Sequence, residues 1–292
     1  MITSIFNGDV KNSNNLWLVF FRCSISALTL INYLSLQFDF ANIFSADAFI
    51  TPDITNALKN PLLPSIYSIY RNLQWFCNIS YDSVLMTFRI LYPLALLLLL
   101  AGLFTRFTAL LSLVLQLTLL NSMDFYTYGF DEFTTIALFY CFLFPVGFDY
   151  SLDKYLFKKQ TDTGNFYKYL WLLRVHICIA YFFSGFEKML GYNWRNGESI
   201  WKMIHGYNVL SFINLDFLYK TPLFLIAGWM TICIEMFYPA FINFNKTRSY
   251  WLSAVISFHL LIAFFMGLYF FSALMIVLNL TAYYMPFMEK ER

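Results

Sequence analysis

Apolar runs recur along this chain at lengths that match the thickness of a lipid bilayer. A helix needs about 20 mostly apolar residues to cross the hydrocarbon layer. Eight stretches approach that length: 16–36, 84–104, 107–122, 133–148, 167–186, 222–243, 250–266 and 268–287. Within lipid a single segment satisfies its backbone hydrogen bonds only as a helix. The pattern therefore predicts an all-α, polytopic transmembrane helix bundle of about eight spans. Composition agrees, because only 12% of the residues are charged against about 25% in soluble domains. Too little polar surface remains to cover a water-soluble fold of this size.

Lys11 is the only cation before the first run. That run is too long for a signal-peptide core and no small-residue cleavage pattern follows it, so it reads as an uncleaved first span. Cations set the expected orientation through the positive-inside tendency. With both termini cytoplasmic, the inner side holds Lys11, Arg106, Lys154, Lys158, Lys159, Lys168, Lys246, Arg248, Lys290 and Arg292. The expected location is the plasma (inner) membrane. Two long extracytoplasmic connections follow, 37–83 and 187–221, whose aromatic and polar mixture fits short amphipathic or re-entrant helices. No repeat or Pro/Gly/Ser linker interrupts the chain, so residues 1–292 read as a single domain. The net charge of +2 points to no nucleic-acid partner. The cysteines, Cys23, Cys77, Cys141, Cys178 and Cys233, lack paired metal-ligand spacing, so neither a metal site nor a disulfide framework is expected.

Ionisable groups inside an apolar run cost several kcal/mol unless paired or hydrated. Arg22 and Arg89 lie near span ends and are expected to reach the interface by extending their stems. Arg174, His176, Glu235 and His259 lie deeper and are candidates for lining a cavity or handling protons. A buried carboxylate at 235 and an imidazole at 259 could share a proton; structural pairing is the simpler alternative. Arg174 has a structural alternative too, a bond to a neighbouring helix. Asp131 and Glu132 open the fourth run, where acids complement the helix dipole. Gly129 beforehand permits close approach to Asp131, which makes that residue a further cavity candidate.

The fifth run ends abruptly in charge, "YFFSGFEKMLGYNWRNGES". Its Tyr181, Phe182, Ser184, Gly185, Lys188, Trp194 and Gly197 resemble the signature of the horizontally transferred transmembrane (HTTM) domain family, which includes vitamin K-dependent γ-carboxylase. Further elements match in order. They are Gly102, Thr105 and Arg106 in "AGLFTRF", Asp149 and Asp153 after "FLFPVGF", Glu235 and Pro239 in "IEMFYPAF", and His259, Met266 and Gly267 in "HLLIAFFMG".

The resemblance implies a catalytic role for Lys188 as the base that deprotonates a hydroquinone; Asp131 and Glu187 are further catalytic candidates by their own positions. It makes a quinone or hydroquinone the implied cofactor, and implies that Gly185, Trp194 and Gly197 pack the following loop over the site. Desolvation favours the uncharged form of an amine, the form a base requires. Two positions differ from the carboxylase: Glu187 stands where that enzyme has a second lysine, and no histidine stands at Gly129–Asp131. No large β-rich substrate domain is expected after the last run.

Three function classes follow. One is a membrane enzyme that uses Lys188 on a quinol or modifies a secreted peptide. Another is a non-catalytic membrane partner, similar to the sporulation-delaying protein B-like group, that helps mature, export or anchor a secreted peptide or protein. A small transporter ranks last. The expected partners are membrane lipids, such a client, and a partner subunit in the membrane.

Overall fold

A computed structural model describes residues 15–58, 60–157, 166–205, 218 and 221–288. Among these residues every regular element is helical. Of the inner cations named above, Lys11, Lys158, Lys159, Lys290 and Arg292 lie outside the described residues, as does most of the 206–221 part of the second connection. The chain forms two compact units, residues 18–163 and residues 1–17 with 164–292.

The first unit contains α1 (Leu16–Leu36, from Leu18 onward), α2 (Phe40–Phe44), α3 (Pro52–Leu58), α4 (Ile66–Gln74), α5 (Tyr81–Ala101), α6 (Thr105–Leu120), α7 (Gly129–Leu143) and α8 (Leu152–Phe157). The second contains α9 (Tyr167–Leu190), α10 (Tyr192–Arg195), α11 (Glu198–Ile204), α12 (Leu223–Met236), α13 (Tyr238–Asn243), α14 (Asn245–Met266), α15 (Tyr269–Asn279), a π turn (Leu280–Tyr284) and α16 (Met285–Met288). Four helices, α1, α5, α9 and α14, are long and apolar enough to cross a membrane; α6, α12 and Tyr269–Tyr284 are shorter apolar helices. The run 222–243 is not one helix. Pro239 has no N–H to offer the Glu235 carbonyl, and the chain breaks at Phe237 and restarts as α13.

Local chemistry explains the ends of these helices. Ser80 caps α5 by accepting from Ser83 N, which satisfies a donor the helix cannot use itself. Ser65 and Ser68 close a reciprocal box at the start of α4. The turn between α5 and α6 is held from a distance. Asp153 Oδ1 accepts from Phe104 N at 2.6 Å, and Oδ2 from Thr105 N and Thr105 Oγ1, both at 2.9 Å. The Asp153 amide returns a bond to Gly102 O at 2.9 Å.

Arg22 fixes the same corner from within α1. It is 1% exposed and donates to Val146 O and Tyr150 O, each at 2.7 Å. The expectation that it reaches the interface is therefore corrected: carbonyls left over where α7 ends supply its partners inside the protein. Arg89 is exposed, bonded to Gln37 Oε1 at 2.5 Å and seated over the Phe40 ring. Gly102 has φ +75°, and a Cβ there would lie 2.6 Å from Ser151 Cβ and 2.8 Å from Arg22 Nη1. The Gly-x-x-Thr element thus builds a corner.

Two substitutions test this corner. Gly102→Ala should destabilise the protein by at least about 1 kcal/mol through the left-handed backbone alone. Asp153→Ala should cost about 1–2 kcal/mol for the lost cap. Thermal unfolding of purified protein checks both, and a midpoint equal to wild type in each would show that the corner carries no stability.

Candidate functional site

Gly185 lets α9 and α12 touch backbone to backbone. A Cβ on Gly185 would stand 2.4 Å from Met236 N and 2.9 Å from Met236 Cα, so any larger residue would push the helices apart. This approach places Lys188, one turn further along α9, opposite Glu235 of α12. Lys188 Nζ lies 2.6 Å from Glu235 Oε2 and donates to Ser184 Oγ at 2.5 Å. The side chains are 20% and 8% exposed, so the pair sits at a rim rather than in free solvent. Trp194 of α10 covers it, with Nζ 5.2 Å from the ring centroid, within cation–π range.

Two more glycines hold that cover down. Gly197, at φ +83°, lies against the Phe224–Leu225 backbone, and Gly228 leaves room for the Trp194 carbonyl, 2.3 Å from where a Cβ would be. Gly185 and Gly197 thus both lie against the backbone of α12, and the Trp194 ring lies beside the lysine. Gly228 completes this packing and escaped notice because a lone glycine in an apolar run carries no spacing signal.

Behind the pair lies a buried polar network. Tyr181 Oη is 2.6 Å from His259 Nε2 and accepts from Asn279 Nδ2 at 3.0 Å; Tyr238 donates to Asn279 Oδ1 at 2.6 Å. The Tyr181 and Tyr238 rings stack at 4.1 Å. His259 Nδ1, on the other side of the ring, is buried without a hydrogen-bond partner. Asn279 and Tyr238 were also missed, although a lone amide within 268–287 was a legible signal.

The structure separates several residues that the sequence grouped. Glu235 bonds Lys188 and His259 bonds Tyr181, so the pairing expected between 235 and 259 is replaced by two distinct contacts. Glu187 is exposed, and the carboxylate that meets Lys188 is Glu235. Arg174 is buried, donates to Ala282 O at 2.8 Å and lies 5.0 Å from the Tyr283 centroid. It therefore ties α9 to the π turn, the structural one of its two readings. His176 is half-buried.

An apolar cavity of about 550 Å³ opens between α11, α12 and α14, bordered by Ile200, Met203, Thr231, Ile234, Phe258 and Phe265 among others. None of the ionisable candidates lines it. Thr231 and Ile234 nevertheless belong to the turn of α12 that carries Glu235, and Phe258 adjoins His259.

Asp131 belongs to the other unit, at the start of α7 and ahead of the apolar run that begins at 133. It is 3% exposed and its Oδ2 accepts from Tyr128 N at 3.0 Å, so it caps the helix. Burial pushes its carboxyl up to about 6.

Removing one member of the Lys188–Glu235 pair strands the other. Lys188→Met or Glu235→Gln should each destabilise by about 1–3 kcal/mol, below the usual 3–5 for a fully buried pair because the lysine is partly solvated. The double variant should recover most of that loss, and unfolding midpoints of all three check it. Asp131 gives a pH prediction of opposite kind. Its folded value lies above the unfolded one, so its favourable contribution is complete below about 4 and is lost as pH rises through about 6. Asp131→Asn keeps an acceptor for Tyr128 N. It should therefore raise stability above pH 6, by on the order of 2–3 kcal/mol, and flatten the profile between pH 4 and 6.

Residues 40–286 match the family model described as the HTTM domain. No curated protein and no solved structure matches the chain. Since the family match covers most of the sequence and the long helices are apolar enough to span a bilayer, the chain is a membrane protein of the HTTM-domain family.

Proposed function

We propose that the protein is a membrane enzyme in which Lys188 and Glu235 act together on the hydroxyl of a lipid-soluble quinol. The observation that carries this reading is the 2.6 Å contact between Nζ and Oε2 at a partly exposed rim. In the resting site the ammonium and carboxylate neutralise each other. As a quinol enters, Glu235 takes the lysine proton, leaving a neutral amine and a neutral acid. The amine then removes the quinol O–H proton, and the quinolate replaces the Glu235 carboxylate as counter-ion to the ammonium. The site holds one positive and one negative charge before and after, so proton transfer adds no net charge to a weakly solvating environment.

The apolar cavity beside the Glu235 turn is of a size that suits a hydrocarbon tail. Trp194 and Ser184 keep the amine positioned through both states. Tyr181, Asn279 and Tyr238 hold the His259 ring fixed behind them.

One observation favours a second reading. Lys188 is already bonded to two side chains, and the cavity lining carries no ionisable group. A non-catalytic membrane partner that binds a secreted peptide or protein would use the same pair only to lock α9 onto α12.

An anaerobic titration separates the two. A short-chain naphthohydroquinone added to purified protein should develop the quinolate absorbance band. Lys188→Ala in a Glu235→Gln background, chosen to avoid a stranded charge, should abolish the band while unfolding stays cooperative. A wild-type protein that gives no band, or a variant that keeps it, would favour the partner reading. Mass analysis of co-purifying lipids gives an independent check, with a quinone-class lipid expected in wild type.

A further inference from the structure

The unit formed by residues 18–163 holds a second cavity, of about 240 Å³, whose lining is half polar. Helix α1 contributes Tyr33, α5 contributes Tyr92, and the α6–α7 connection with the start of α7 contributes Tyr126, Tyr128 and Asp131; Asp39 lies just past α1. The two acids sit at different levels. Asp131 and the rings of Tyr33 and Tyr92 are buried, whereas Asp39, Tyr126 and Tyr128 are exposed. The cavity therefore has acid and aromatic surface both at its mouth and in its depth. No lysine, arginine or histidine lines it.

That charge balance is unusual, because a buried carboxylate without a cation is costly. Asp131 uses Oδ2 to cap α7, and no arginine or lysine pairs with it as Glu235 pairs with Lys188. The Tyr33 hydroxyl provides a second sign of an absent partner. It is buried without a hydrogen bond. The nearby Gln37 amide accepts from Arg89 Nε at 2.5 Å and gives one N–H to the Tyr33 carbonyl at 3.2 Å, which leaves its second N–H on the hydroxyl's side. Tyr92 already donates to Gln116 Oε1. What remains is an anionic floor, a buried hydroxyl that makes no hydrogen bond of good geometry, and aromatic rings for walls.

We propose that this cavity binds a small primary alkylammonium ion, its charge paired with Asp131 and its N–H groups shared with the Tyr33 hydroxyl. The tyrosine rings suit both ends of such a ligand, since aromatic faces attract cations and cover alkyl groups. The volume equals that of roughly eight water molecules, which limits the ligand to a few carbons. A metal ion fits less well, because no group of three metal-ligating side chains occurs among the described residues. Asp39 at the mouth draws a cation inward. The site is independent of Lys188 and of the quinol reading.

The test uses propylammonium as probe and propan-1-ol as its uncharged counterpart, titrated calorimetrically into the full-length protein in detergent. Saturable binding is expected for propylammonium alone. Asp131→Asn, which preserves the cap, should weaken it by at least about tenfold, one decade of Kd. Tyr33→Phe, which removes only the hydroxyl, should weaken it by about threefold. Unfolding midpoints establish that both variants are folded. The proposal is overturned if propan-1-ol binds as well as the cation. It is equally overturned if Asp131→Asn binds propylammonium like wild type, or if wild type shows no saturation.

Discussion

Lipid offers a buried polar group no hydrogen bond, so every such group must find its partner within the protein. That constraint organises both units. Arg22, Arg174 and Arg248 are all buried, and each turns to backbone carbonyls: Val146 and Tyr150, Ala282, and Ile242 and Asn243. These carbonyls lie where a helix ends, breaks or changes pitch, at positions the α-helical ladder leaves unsatisfied. A guanidinium with five donors in a planar fork can reach two of them at once. The arginines thus stabilise irregular backbone that an apolar environment would otherwise penalise.

Glycine does the complementary work of bringing elements close enough for short side chains to meet. Gly185 places α9 on the Met236 backbone, and Gly197 with Gly228 seat the Trp194 turn on α12. Without these contacts Lys188 and Glu235 would be held several ångströms apart, and each would need its own route to water. The ion pair is therefore a consequence of backbone approach. A substitution at Gly185 acts on the pair although it touches neither member.

Much of this was legible in the residue order. Run length and charge scarcity predict an all-helical membrane protein, and the family resemblance carried by Gly185, Lys188, Trp194 and Gly197 directs attention to the right stretch of chain. Helix ends were read less well, because Pro239 breaks a run that hydropathy alone treats as continuous. Pairing was the hardest to read. Glu187 is adjacent to Lys188 in sequence, yet successive residues on a helix point about 100° apart. The carboxylate that reaches the amine comes from another helix, 47 positions away. Arg22 illustrates the same difficulty, since its partners are backbone carbonyls, and any residue type can carry those.

The contrast between the arginines and Lys188 bears on what each can do. A guanidinium stays protonated under all physiological conditions, so Arg22, Arg174 and Arg248 are permanent charges and serve best as fixed ties. The reaction proposed for Lys188 uses a second state of the pair it forms with Glu235 at 2.6 Å, in which the proton has crossed and both groups are neutral. In bulk water that state is strongly disfavoured, because both ions are well solvated. At a rim where solvation is poor the gap narrows, and a ligand that supplies its own anion narrows it further. Lys188 differs from these arginines in facing a carboxylate at a partly exposed rim. An arginine in its place, even one that kept the bond to Glu235, would preserve the architecture and remove that second state.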